Sequence, residues 1–299
     1  SRPWPCWRNG GVDAGVKITI MYATPTDAAT VMIIRQKQTG PERDIEVLMV
    51  LRHRSSRFVP GYHVYPGGIL DPEDFAPGIE RFCTGVDRRQ ALETLPNMSK
   101  PEKAIGAWVA GIRETFEEAG ILIALRRDGS TVSIRTEEEK KRLCGYRRAL
   151  NGGEMKFTEF LAKEGLILPL ERLHYFSHWI TPEPLPLRYD VRFFLAETPE
   201  GQDVMHDGLE LTEHLWISPR EALDLYQNGE FGLVLPQIMT LVEISRYRTV
   251  EEAIGSTKGK KVPAFLTKIR RIDGQDVEVM PDGSVYEGRL PVYTWPKKK

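Results

Sequence analysis

Residues 113–121, RETFEEAGI, are the stretch from which the fold can be inferred. Glu114, Glu117 and Glu118 fall within about 100° of one another on one helical face, because successive helical residues are about 100° apart. Like charges at these spacings repel and weaken an isolated helix. Hard divalent cations bind carboxylate oxygens and would stabilise such a face, and Arg113 is placed to brace Glu117 one turn later. A solvated acidic helix face is the alternative interpretation.

A helix is predicted around this stretch, from about residue 100 to residue 119. Ser99 is the expected N-cap, Pro101 suits the first turn, and Glu102 stands three residues after Ser99, as in a capping box. Gly120 is expected to end the helix in the left-handed conformation. A neighbouring stripe of small and apolar residues is expected to pack on a sheet: Ala104, Ala107, Trp108, Gly111 and Thr115.

A glycine turn, Gly67-Gly68, precedes the helix and is followed by acidic residues. The combination resembles the signature of the Nudix hydrolase family, Gly-x5-Glu-x7-Arg-Glu-x-x-Glu-Glu-x-Gly followed by an aliphatic residue. Counting from Gly68 puts Asp74 at the first acidic position, and counting from Gly67 puts Glu73 there, so both assignments stay open. Residues 75–112 then separate the two halves, where the signature has seven residues. An insertion of about 31 residues is tolerable because loop-closure entropy grows only logarithmically.

Further segments resemble one branch of this family. VLRHRSSRFVPGYHVYPGGILDPED, residues 50–74, is similar to the stretch ahead of the motif in coenzyme A diphosphatases. The long insertion, together with HWITP at 178–182 and RYDVRFF at 188–194, resembles the mammalian Nudix member 19 type of acyl-CoA diphosphatase. The resemblance covers roughly residues 25–250.

The resemblance implies the fold, an α/β/α sandwich with a mixed central sheet, enlarged by the long insertion and by added helices. Alternating apolar runs and capped helical segments also favour a layered α/β or α+β domain. The expected organisation is a poorly ordered lead-in at 1–20, a Nudix hydrolase domain at 21–250 and a C-terminal extension at 251–299. Within the domain, the insertion spans about 75–100 and a helical stretch spans about 127–170.

Apolar patterning and capping residues predict the individual elements. Strands are expected at 28–35, 46–53, 62–65, 121–125, 188–197 and 211–217. Helices are expected at 136–150, 157–163, 218–229 and 235–247, with a small hairpin around 281–283. The segment 71–99 is rich in Pro, Asp, Gly and Arg, and is expected to be a long loop with one short helix.

The resemblance also implies a reaction, the hydrolysis of a nucleoside diphosphate linked to another group. CoA or acyl-CoA is the expected substrate, and the products would be 3′,5′-ADP and (acyl-)4′-phosphopantetheine. Mg²⁺ or Mn²⁺ is the implied cofactor, since such ions neutralise a diphosphate and lower the pKa of bound water. A diphosphatase acting on ADP-ribose or a nucleotide sugar and a non-catalytic nucleotide-sensing module stay open as alternatives.

Specific residues are expected to fill these roles by analogy with the family. Arg113, Glu114 and Glu117 are the candidate catalytic residues. The candidate metal ligands are Glu114, Glu117, Glu118 and the carbonyl of Gly68. Three arginines ahead of the glycine turn are candidates for bidentate phosphate recognition, with an ordinary solvent-facing position as the favoured alternative for each one singly: Arg52, Arg54 and Arg57. Two carboxylates are further candidates for the general base, with an ordinary surface position as the equally weighted alternative: Glu210 and Glu213.

The composition restricts the partners that we expect. The chain of 299 residues has 41 Lys and Arg against 42 Asp and Glu, a net charge of −1 that gives nucleic acid no basic footprint. No apolar run approaches the roughly 18 residues of a membrane helix. The three cysteines are scattered, which fits a reducing compartment, and a cytoplasmic location is expected. The expected partner is a small-molecule nucleotide, and the assembly is left open between a monomer and a homodimer.

Overall fold

A mixed sheet of eight strands is the centre of the computed structural model, which describes residues 23–37, 44–52, 60–183, 185–205, 213–272 and 275–286. Its strands are β1 (Thr26–Gln36), β2 (Ile45–Leu51), β3 (His63–Val64), β4 (Gly67–Ile69), β8 (His174–Ile180), β9 (Tyr189–Glu197), β10 (Glu213–Ile217) and β11 (Ala264–Leu266). The strand order is β10-β2-β1-β9-β8-β11, with β3 paired to β2 and β4 paired to β1. Strand β1 is parallel to β9 and antiparallel to β2 and β4. The lead-in predicted at 1–20 lies outside the described residues.

Two smaller sheets and seven α-helices complete the described part of the chain. One small sheet contains β5 (Cys83–Thr84), β6 (Leu125–Arg126) and β7 (Leu166–Pro169), and the other contains β12 (Lys268–Ile272), β13 (Gln275–Val279) and β14 (Val285–Tyr286). The helices are α1 (Arg88–Thr94), α2 (Pro101–Ala119), α3 (Glu137–Asn151), α4 (Phe157–Glu164), α5 (Pro219–Gln227), α6 (Leu235–Ile244) and α7 (Val250–Gly255).

The two faces of the central sheet are both covered, which confirms the predicted sandwich. Successive side chains of β1 point to opposite faces, as the strand period of two requires. Val31 and Ile33 belong to the core that contains α2. Met32 and Ile34 belong to the other core, together with residues of α5, α6 and α7. The continuous apolar run of β1 therefore reflects a strand that is buried on both sides.

Helix α2 follows its predicted course except at the N-cap. Its N-cap is Lys100, which makes no side-chain capping bond, so the prediction that Ser99 caps the helix is wrong. Pro101 occupies the first helical position and thereby assigns the cap to residue 100. Glu102 forms an ion pair with Arg88 of α1 at 2.9 Å instead of completing a capping box. The C-terminal prediction is confirmed, since the residue after Ala119 is a left-handed glycine with φ of 72°.

The inserted segment 75–100 is part of the hydrophobic core. It contains strand β5, helix α1 and a 3₁₀ turn at Ile79–Phe82, and a further 3₁₀ turn at Pro72–Phe75 leads into it, so the prediction of a long loop with one short helix at 71–99 underestimates the regular structure. Its apolar side chains are buried in the α2 core: Ile79, Phe82, Ala91, Leu95 and Met98. Strand β5 pairs in parallel with β7. The insertion is therefore joined to the domain by backbone pairing as well as by packing.

The strand predicted at 121–125 is largely wrong. Residues 121–124 are buried but are not assigned to a strand, and pairing begins only with β6. The side-chain amide of Gln202 replaces a strand neighbour here. Its Oε1 accepts the Leu122 N–H at 2.8 Å and its Nε2 donates to the Leu122 carbonyl at 2.9 Å. The apolar pattern of this segment reports burial rather than strand pairing.

The other predicted elements are confirmed within a few residues at their ends. Thr136 and Ser218 cap α3 and α5 through the backbone N–H groups of Glu139 and Glu221. The predicted hairpin around 281–283 joins β13 to β14. Strand β11 pairs in parallel with β8, so residues beyond 250 add a strand to the central sheet. Within the described ranges, none of the helices combines the length and the apolar character needed to cross a membrane.

Candidate active site

The glycine turn and the carboxylate end of α2 meet in space across the insertion. Strand β4 lies beside β1, with Gly68 opposite Ala29. The backbone N–H of Gly67 donates to Oε2 of Glu118 at 2.9 Å. A Cβ built on Gly68 would lie 2.4 Å from Oε1 of Glu114, so any other residue here would require the Glu114 carboxylate to move. The two halves of the motif therefore lie against each other despite the insertion.

Arg113 joins the two halves through a buried carboxylate. Its Nε and Nη2 donate to the two oxygens of Asp74 at 2.8 and 2.9 Å, a bidentate pair in which Asp74 is only 1% exposed. Glu73 instead forms an ion pair with Lys156 at 2.5 Å. The geometry thus supports counting the motif from Gly68, with Asp74 at the acidic position. Burial raises the pKa of Asp74, and the facing guanidinium opposes that rise.

The same guanidinium also orders the carboxylates of the helix. Nη1 of Arg113 donates to Glu114 at 2.8 Å and to Glu117 at 3.0 Å, while Nη2 also donates to the Ile69 carbonyl at 3.1 Å. These three side chains are between 11% and 15% exposed, so water screens them poorly. Burial raises the pKa of Glu117 to about 7; the Glu114 charge adds to this rise and Arg113 opposes it. A cation beside Glu117 would favour its charged form.

The donor set fits a hard divalent cation. Glu114, Glu117 and Glu118 supply carboxylate oxygens, and the missing side chain of Gly68 brings backbone to the Glu114 carboxylate. Within the described ranges, no three His, Cys, Asp or Glu side chains already converge as a metal cage. Arg113 and the Gly67 N–H engage these carboxylates instead. The residues that would hold the ion are thus near one another. A bound cation would replace the hydrogen bonds that these carboxylates now accept.

The remaining predicted site residues are only partly described. Arg52 follows β2, and its backbone N–H donates to the Tyr62 carbonyl at 3.0 Å. Its Nε is buried and has no hydrogen-bond partner among the described residues. Strand β10 begins at Glu213, whose backbone lies opposite Leu51. Three candidates lie outside the described residues: Arg54, Arg57 and Glu210.

Sequence reasoning missed a buried arginine at the end of the carboxylate helix. Arg147 of α3 is 1% exposed, and its guanidinium contacts carbonyls of Glu117 and Glu118. Leu143, Arg147 and Leu150 are the buried residues of α3, at spacings of four and three. A charged residue on an otherwise apolar helical stripe is the signal that could have identified it.

Comparisons with known proteins agree with the motif. Residues 23–246 match a family model described as "NUDT19 Nudix domain". "Acyl-coenzyme A diphosphatase NUDT19" of Gallus gallus is 28% identical over 240 residues, which are 70% of this chain and 63% of that protein. The Homo sapiens protein of the same name is 27% identical over 281 residues, 84% of this chain and 72% of that protein. The chain thus spans less than two thirds of the Gallus gallus relative.

A solved structure supports the fold. A crystal structure of a NUDIX hydrolase from Alicyclobacillus acidocaldarius is 29% identical in sequence and superimposes with a TM-score of 0.61. The match covers 78% of this chain and 96% of that chain. The shared architecture therefore extends through nearly all of that protein.

Proposed function

Because the chain belongs to the Nudix hydrolase family, with a NUDT19 Nudix domain over residues 23–246, we propose that it hydrolyses CoA or an acyl-CoA. The products are 3′,5′-ADP and (acyl-)4′-phosphopantetheine. One observation carries the proposal, the contact of the glycine turn with Glu114 and Glu118 across the insertion. The vertebrate relatives named acyl-coenzyme A diphosphatase support this substrate class.

The proposed cofactor is Mg²⁺ or Mn²⁺, held by Glu114, Glu117, Glu118 and the Gly68 carbonyl. When bound, such an ion neutralises diphosphate charge and lowers the pKa of coordinated water. Arg113 orients the metal-binding carboxylates, because its Nη1 donates hydrogen bonds to Glu114 and Glu117. Nudix hydrolases generally use divalent metals; the choice between these two ions is part of the proposal.

The general base that accepts the proton from the attacking water must be a carboxylate that is charged at neutral pH. Glu114 is the first candidate, since it lies at the glycine turn beside Arg113. Glu117, which shares Nη1 of Arg113 with Glu114, is the second candidate on α2. Glu210 and Glu213 remain candidates from outside α2.

Recognition of the substrate is assigned to the arginines ahead of the glycine turn. The buried Nε of Arg52 is a donor without a described acceptor, and a phosphate oxygen is the acceptor that we propose. Arg54 and Arg57 keep the same proposed role on the basis of the sequence. A small-molecule nucleotide is the proposed partner, with no role for nucleic acid or a membrane. The assembly stays open between a monomer and a homodimer, and the proposed location is cytoplasmic.

Product analysis tests this proposal. Purified protein is incubated with CoA, acetyl-CoA, ADP-ribose, NADH and a nucleoside triphosphate in ¹⁸O-water, with Mg²⁺ or Mn²⁺ and with EDTA. We expect 3′,5′-ADP from the CoA substrates, loss of turnover with EDTA, and loss in the double variant Glu117→Gln/Glu118→Gln. Glu102→Gln is the control, because Glu102 lies on the same helix but pairs with Arg88.

The outcomes separate the alternatives. If AMP from ADP-ribose is the main product, the proposed metal site stands and ADP-ribose replaces CoA as the proposed substrate. Nucleotide binding without turnover of any substrate would favour the sensing module. The position of the ¹⁸O label identifies the phosphorus that water attacks.

A further inference from the structure

Three carbonyls at the C-terminal end of α2 accept hydrogen bonds from outside the helix, although a helix leaves its last four C=O groups without intrahelical partners. The Phe116 carbonyl accepts the Gly120 N–H at 2.9 Å. The Ala119 carbonyl accepts the Met205 N–H at 3.0 Å. The two carbonyls between them belong to Glu117 and Glu118, which are candidate metal ligands, and both accept from Arg147.

Arg147 binds these two carbonyls with a fork of donors. Its Nη2 donates to the Glu117 carbonyl at 2.9 Å and to the Glu118 carbonyl at 3.0 Å, and its Nε also donates to the Glu117 carbonyl at 3.2 Å. Its Nη1 donates to the Met205 carbonyl at 2.6 Å. A cation at a helix C-terminus is also favoured by the helix dipole. One buried side chain from α3 thus holds the helix end and the Met205 backbone together.

Gly120 permits this arrangement. A Cβ on Gly120 would lie 3.1 Å from Nη1 of Arg147 and 2.7 Å from Cβ of Met205. The left-handed conformation at Gly120 ends the helix and leaves the carbonyls open to an outside donor. The glycine of the motif and the arginine of α3 therefore act on the same helix end.

We propose that Arg147 is a positioning residue for the metal site, holding the last turn of α2 so that Glu117 and Glu118 keep their spacing. This inference rests on the proposed function, since it assigns these carboxylates to the cation. Helix α3 lies outside the Nudix motif, so the added helical stretch contributes directly to the site. Residues behind metal ligands typically change metal affinity or activity by 10- to 100-fold when they are altered.

Mn²⁺ binding to metal-free protein tests the proposal without substrate. The variant Arg147→Met keeps the length of the side chain and removes its donors. We expect it to bind Mn²⁺ about 10- to 100-fold more weakly by titration calorimetry or by electron paramagnetic resonance. Arg148→Met is the matched control, because Arg148 is exposed on the same helix, and we expect it to bind Mn²⁺ as the wild type does. In turnover assays at saturating Mn²⁺, kcat should fall while KM for CoA changes less than about threefold, since Arg147 is buried and its guanidinium binds backbone carbonyls.

Two further variants keep the test decisive if Arg147→Met does not fold. Arg147→Lys offers a point charge in place of a planar fork, so we expect a smaller loss of Mn²⁺ affinity. Arg147→Ala opens a cavity in place of the side chain. Guanidinium ion added at low concentration should fill this cavity and restore Mn²⁺ binding to the variant.

The outcomes distinguish failure of the positioning role from failure of the proposed function. Wild-type Mn²⁺ affinity in folded Arg147→Met or Arg147→Lys, with only a lower Tm, would overturn the positioning role. Wild-type protein that binds Mn²⁺ but turns over no substrate would overturn the proposed function alone. Wild-type protein that binds no Mn²⁺ would overturn both.

Discussion

At position 68, the absence of a side chain lets the backbone of the glycine turn lie against the Glu114 carboxylate. We expect Gly68→Ala to lower activity by about 10- to 100-fold, because a displacement of about 1 Å in a catalytic group has effects of this size. The Cβ would meet Glu114 at 2.4 Å and push its carboxylate away. Steady-state kinetics with CoA as substrate, alongside Mn²⁺ titration, measures the effect.

The control for this prediction is Gly145→Ala. A Cβ at Gly145 meets nothing within 4 Å, and the residue lies on an exposed part of α3. Alanine should stabilise that helix slightly and leave activity unchanged. Gly68→Ala with wild-type activity would contradict the assignment of the turn to the site.

The raised pKa of Glu117 predicts how stability depends on pH in metal-free protein. Burial raises this pKa from 4.5 to about 7, so between these values the folded state binds more protons than the unfolded chain. The free energy of unfolding must then fall as pH rises through that window, and the change levels off above pH 7. The contribution of Glu117 is at most about 3 kcal/mol, since one pKa unit corresponds to 1.36 kcal/mol.

Urea unfolding at pH 5, 6, 7 and 8 in the presence of EDTA measures this effect against Glu117→Gln. We expect wild-type protein to lose stability relative to the variant as pH rises. In a parallel series without EDTA, saturating Mn²⁺ should reduce this loss. A difference between the two proteins that does not change with pH would show that Glu117 titrates normally.

The 3₁₀ turn Pro72–Phe75 and helix α2 are joined by the pair of Asp74 and Arg113. We expect Asp74→Asn to destabilise the fold by about 1–3 kcal/mol, because Arg113 keeps Glu114 and Glu117 as partners but loses a buried, bidentate, charge-assisted acceptor. Activity should fall as well, since the same guanidinium holds Glu114 and Glu117. Glu73→Gln should leave activity and stability close to wild type, because its Lys156 partner is exposed.

Denaturant unfolding and CoA turnover of both variants distinguish the two ways of counting the motif. Larger losses in Glu73→Gln than in Asp74→Asn would favour counting from Gly67. The sequence leaves this choice open because both residues are acidic and adjacent.

Local sequence patterns predict local structure well, but they do not predict contacts between segments that are distant in the chain. Thr136 with Glu139 predicted the start of α3, because a capping box is complete within four residues. The burial of residues 121–124 was correctly implied, but the partner was a Gln202 side chain and not a strand. The apolar stripe of α3 indicates that Arg147 is buried but does not identify its partners, because its acceptors lie about thirty residues away in the chain and depend on how α3 packs.

The whole molecule depends on the insertion because the insertion shares its core with α2. Phe82 is 5% exposed and belongs to the same apolar cluster as Trp108 and Val31. We expect Phe82→Ala to lower the free energy of unfolding by about 3–5 kcal/mol, the usual cost of emptying a buried aromatic position. Unfolding should remain a single transition, since strand β5 pairs with β7 and the insertion has no separate core.

Circular dichroism and tryptophan fluorescence, followed together in urea, check both parts of this prediction. Arg89→Ala is the control, because Arg89 is exposed on α1 and its loss should change stability by less than about 0.5 kcal/mol. If the insertion were an independent cover over the site, Phe82→Ala would produce an early, separate transition and leave the main one at the wild-type midpoint. A single transition at lower urea instead means that the inserted residues stabilise the same α2 helix that carries the carboxylates.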